Sequence, residues 1–117
     1  MENSFILKFY EYYLGSAHHA HSAGNWYGPY TISSVGKVIE GIHKVTITVN
    51  EPVNTGCAIN DSTKTMKNAS DNYVHVDGML SVSLAAQAQK KKVMVYFPNS
   101  ICYQSGLDLW GIKVLTD

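Results

Sequence analysis

Three imidazoles crowd into four positions, His18-His19-Ala20-His21, the densest group of metal-ligating side chains in the chain. In an extended segment His19 and His21 share a side, and a third imidazole nearby would complete a zinc or copper site. The segment is nevertheless a Gly, Ala, Ser and His run between Gly15 and Gly24, and no further ligand follows at a defining spacing. A solvated loop is the simpler reading. His18, His19 and His21 stand as metal candidates only, and no cofactor is expected.

The chain has two cysteines, Cys57 and Cys102. Neither has the short Cys or His spacing of a metal pair. Joined in an oxidising compartment, they would close a loop of about 45 residues, worth roughly 4 kcal/mol on the chain-entropy account. Left reduced, they would be two buried thiols of a cytoplasmic protein. Cys57 after Gly56 has the place of a nucleophile, but no histidine is marked as its partner. No serine sits in a Gly-x-Ser-x-Gly elbow, no spaced pair among the nine carboxylates suggests glycosidase chemistry, and phosphate-binding glycine loops are absent. The expectation is that the protein is not an enzyme.

Aromatic residues offer a different chemistry. Trp26, Tyr27 and Tyr30 flank Gly28-Pro29, and Tyr10, Tyr12 and Tyr13 stand close together. An aromatic face packs on the C–H face of a sugar while Asn, Ser and Asp neighbours pair its hydroxyls. The competing reading makes Trp26 and Tyr30 a corner of the core. Asn60-Asp-Ser62 and Asn68-Ala-Ser70 match glycosylation sequons, which matter only in a eukaryotic secretory pathway.

Composition narrows the classes. Nine basic and nine acidic residues give a formal charge of zero, which leaves no reservoir of cations to displace counterions from phosphates, so nucleic acid is not an expected partner. The one basic run, Lys90-Lys91-Lys92, falls at an expected helix end, where cations meet the negative pole of the helix. Charged residues are only 15% of the chain, against a usual quarter or so. Ser, Thr, Asn, Gln, Tyr and Gly must therefore cover much of the surface. No apolar run approaches the roughly 20 residues of a membrane span. Glu2 and the short Phe5–Leu7 run do not make a signal peptide, so the chain is either cytoplasmic or a mature exported form, and the cysteine pair favours the second, secreted or periplasmic.

These 117 residues should form one domain with a poorly assigned segment, 1–29. Residues 15–29 read as a loop. Tyr30 to Ile39 reads as a strand with a bulge at Gly36, and Glu40-Gly41 as a turn into a second strand, His43 to Val49. There Val45, Ile47 and Val49 alternate with Lys44, Thr46 and Thr48. Cys57 to Ile59 and Tyr73 to Val76 read as short strands, and 60–72 as an exposed loop. Asp77 is the expected N-cap of a helix whose buried stripe is Leu80, Leu84 and Ala88, ended by Lys90 to Lys92. Val93 to Phe97 and Leu107 to Leu115 read as strands, the latter with a bulge at Gly111.

The second half resembles small exported bacterial proteins of OB-like fold. The residues concerned are Gly56-Cys57, Met79 through Phe97, Cys102 and Leu109-Trp110-Gly111-Ile112, within roughly 30–115. Its layout is similar to the binding subunits of pertussis-like and subtilase-type toxins. The resemblance implies a mainly β domain with one α-helix, an OB-like small β-barrel in the order strands, helix, strands. It also implies a disulfide, export, and no catalysis. The leading expectation is a binding module that recognises a glycan or a partner protein. The alternative is a structural or assembly protein that forms a homo-oligomer, with a metal protein or enzyme behind both.

Overall fold

The computed structural model describes residues 24–98, 102 and 106–116. His18, His19, His21 and the tyrosines at 10, 12 and 13 lie outside the described residues. Among these the fold is mainly β, with seven strands in two sheets and two helices.

The alternation at 43–49 produces its expected hairpin. β2 (Ile32–Ile39) pairs antiparallel with β3 (His43–Val49) across a bend at 40–42, and Val45, Ile47 and Val49 are buried while Thr46 and Thr48 are half-exposed. β4 (Thr65–Ser70) adds to the other side of β3, bringing Met66 opposite Ile47, and β6 (Leu107–Asp108) pairs parallel with β4. The second sheet has the order β1 (Gly24–Tyr30), β5 (Val93–Pro98), β7 (Gly111–Val114), all neighbours antiparallel. The core lies between the sheets: Ile47, Val49, Met66, Val93, Val95, Phe97, Leu107 and Leu109 form one cluster with Tyr30, Ile32, Val53 and Cys57. Each such side chain contributes roughly 1.5–3 kcal/mol by leaving water. Among the described residues the sheets do not close into a barrel.

The expected strands break wherever the chain changes sheet. Tyr30 ends β1 in one sheet and Ile32 begins β2 in the other, so the single strand expected over Tyr30 to Ile39 is two. The register shift falls between Ile32 and Ser34, not at Gly36. Glu51 fixes this corner by accepting from Thr31 N at 2.6 Å and Thr31 Oγ1 at 2.7 Å. The final strand divides likewise. Leu109 N donates to Lys67 O of β4 and Trp110 N to Tyr96 O of β5, so two successive amides belong to different sheets. Residues 24–29, expected as loop, are β1, because β5 supplies the pairing their sequence does not advertise. Gly24 is required there: a Cβ would fall 2.5 Å from Tyr96 Oη.

Cys57 to Ile59 and the loop after it are also corrected. Cys57 is the N-cap of a short helix, α1 (Ala58–Thr63), and β4 follows directly. The Asp61 carboxylate folds back to accept from Thr55 N, Thr55 Oγ1 and Gly56 N. Six residues are too few to show a helical period, and β4 buries only Met66, so neither element announces itself.

Tyr73 to Val76 is the first turn of the long helix α2 (Tyr73–Gln89), not a strand. Its N-cap is Asn72, whose Oδ1 accepts from Val74 N at 3.1 Å. Asp77 instead pairs with Lys37 of β2. The inward face runs Val76, Met79, Ser83, Ala86, at i, i+3, i+7, i+10, and Leu84 is 46% exposed. Apolar residues lie nearly all round this helix, so periodicity could not select the face that the sheets select. Lys90 ends it in the left-handed region, its N–H reaching Ala86 and Gln87 carbonyls.

Candidate functional site

β1 decides where the aromatic candidates go. Paired with β5, it sets Trp26 opposite Tyr96, Tyr27 opposite Val95 and Asn25 opposite Phe97. Val95 and Phe97 face the core, so Asn25 and Tyr27 lie on the inner side and Trp26 on the outer. The register shift between Tyr27 and Tyr30 then carries Tyr30 into the core at 5% exposure. Trp26, Tyr27 and Tyr30 are thus parted into three environments.

On the outer side, Trp26 meets Tyr96 edge-on with centroids 5.4 Å apart, and Lys113 Nζ stands 5.0 Å from the indole centroid. In the core, burial pushes the Tyr30 phenol above its usual 10.0, and the nearby charge of Asp61, together with Tyr27 and Glu51, adds to the effect. It stays protonated.

The inner side opens into a groove of about 220 Å³, lined by Asn25, Tyr27, Thr55, Gly56, Phe97, Pro98 and the Cys57–Cys102 disulfide. The Tyr27 ring lies tilted on Phe97 at 5.3 Å, which fixes one wall. The opposite wall is Thr55-Gly56, held by Asp61, and the disulfide ties this wall to the chain leaving β5. Among the described residues, none that lines the groove is a carboxylate, imidazole or amine. What the lining offers is an aromatic ring, an exposed primary amide, a hydroxyl and backbone groups, which suits hydrogen bonding to a neutral polar ligand. The volume is below the roughly 300–1,000 Å³ of sites for larger ligands, and matches something near one ring in size.

The disulfide resolves the choice left by the sequence, and it removes Cys57 as a thiolate nucleophile. Among the described residues no group of three or more His, Cys, Asp or Glu could hold a metal. Both sequon asparagines are committed inside the fold: Asn60 is 3% exposed within α1, and Asn68 Nδ2 donates to Leu109 O at 2.9 Å. The lysine run acts structurally, with Lys90 as C-cap and Lys92 Nζ 3.6 Å from Glu51. Among the described residues no helix is long and apolar enough to cross a membrane. Of the groove, sequence reasoning found Tyr27 and the cysteines but missed Asn25, Thr55, Phe97 and Pro98. The one available signal was proximity in sequence, since Thr55-Gly56 precedes Cys57 and Phe97-Pro98 precedes Cys102. Compared with protein-family models the chain matches none, and compared with curated proteins it likewise matches none.

Proposed function

We propose that the protein is an exported, non-catalytic binding module whose Tyr27 groove receives one ring of a glycan. The observation that carries this reading is the half-exposed Tyr27 ring beside the exposed Asn25 amide, in a groove whose described lining holds no ionisable acid–base pair. Aromatic stacking and amide hydrogen bonds are what a neutral sugar offers to recognition. The disulfide supports an oxidising compartment. The test is a glycan array with oxidised protein, followed by titration of any hit. Asn25→Ala and Tyr27→Ala should each weaken binding about tenfold, whereas Trp26→Ala leaves it unchanged. Absence of binding by well-folded protein removes the sugar assignment. Hits that depend on Trp26 instead move the site to the outer face.

A further inference from the structure

We propose that the free edge of β2 is a self-association surface, on which a second copy of this chain adds its own β2 antiparallel across a two-fold axis. β2 ends the four-stranded order, so its outer edge pairs with no described strand. The bond from Glu40 N to Ile42 O sets the phase of the hairpin: even-numbered residues beyond the bulge bond to β3, and Val35, Lys37 and Ile39 turn their N–H and C=O outward. An edge of this kind is a template for another strand, and natural proteins block it with charge, proline or bulges. Here the blocks are confined to one end. The register shift lies at Ile32/Ser34, and Gln87 Nε2 occupies Ser33 O at 3.1 Å. Beyond it, Lys37 is neutralised by Asp77, and Val38 and Ile39 are 39% and 64% exposed.

The occupant that fits is β2 itself. A two-fold axis at Lys37 sets Val35 against Ile39 of the partner subunit, and Val38 over the partner's Gly36, where no side chain stands in the way. The two Lys37–Asp77 pairs then meet as a closed group of alternating charge. Zero net charge removes long-range repulsion between copies.

The helices agree. Asp77 reaching Lys37 and Gln87 reaching Ser33 show that α2 runs alongside β2, with Leu80 and the exposed Leu84 on that same flank. α2 packs over β2, β3 and β4 of this sheet and against β7 of the other. A second copy added at this edge brings its own α2 onto the same face of the joined sheet, beside the first.

The test is analytical ultracentrifugation of the full chain from micromolar to near-millimolar concentration, with Ile39→Lys and Lys37→Cys. The expected result is a concentration-dependent dimer whose Kd rises at least about tenfold with Ile39→Lys, which puts a charge on the edge. Ile39→Pro serves as a second variant, because it deletes an N–H that has no partner within the hairpin. Lys37→Cys should form an interchain disulfide, since hydrogen-bonded antiparallel pairs have Cα atoms about 5.5 Å apart. A monomer at every concentration overturns the proposal. So does a dimer that tolerates both Ile39 variants, or one that fails to cross-link through Lys37→Cys.

Discussion

Replacing both Cys57 and Cys102 by alanine removes the one covalent tie between the start of α1 and the segment leaving β5. The bond closes a separation of 45 residues. On the chain-entropy account, releasing a loop of that length frees about 13 cal/mol/K in the unfolded ensemble, or about 4 kcal/mol at room temperature. Cys57 is only 5% exposed, so alanine there also withdraws a buried sulfur, adding about 1 kcal/mol. The sum is a large share of the roughly 5–15 kcal/mol that holds a domain folded, and corresponds to a fall in Tm of about 15–20 °C. Urea titrations followed by tryptophan fluorescence would measure it, with wild type under dithiothreitol as a second route to the same state. Because most of the effect belongs to the unfolded chain, m should rise while the native circular dichroism is unchanged. A loss below about 1 kcal/mol, or an unchanged m, refutes this reasoning and shows that the unfolded chain already holds these positions together.

Two further substitutions probe the corner and the helix. Burial alone would raise the Glu51 pKa, but the Thr31 amide and hydroxyl, with Lys92, outweigh it and hold the carboxyl below its usual 4.5. A carboxylate with depressed pKa stabilises above its unfolded value and loses that contribution as pH falls through the folded one. Glu51→Gln should therefore lower Tm at neutral pH, with the gap to wild type closing below about pH 4 in a pH series of thermal melts. For the helix, Val76→Ala should cost about 2 kcal/mol in urea unfolding and Leu84→Ala less than about 0.5 kcal/mol, because only Val76 is fully buried. Equal costs would show that the inward face had been misassigned.

Much of the fold follows from short-range pattern. The alternation of β3 and the continuous apolar run of β5 lie within their own residues, and α2 shows itself as a long run of helix-forming residues, although its apolar side chains do not pick out one face. β1, β4 and α1 show no such pattern. Gly24–Tyr30 contains two glycines and a proline, and it is a strand because β5 pairs with it; Thr65–Ser70 buries one side chain and is a strand because β3 pairs with it. Long-range pairing leaves no local trace, so these segments read as loops.

The same division runs through the site. Sequence by itself determined that a Tyr and Trp cluster, a cysteine pair and a composition low in charge and net neutral were present, because residue type and count are local facts. Only the tertiary structure decided that Trp26, Tyr27 and Tyr30 face three ways, since strand alternation and the shift before Tyr30 act through β5. It also decided that Cys57 meets Cys102, because the two sheets must first pack for their Cα atoms to come within 5.4 Å. The groove exists where that packing leaves Tyr27 beside the disulfide, a juxtaposition of residues 30 to 75 positions apart in the chain. Chemistry was legible in the residues; its geometry came from the contact of two sheets.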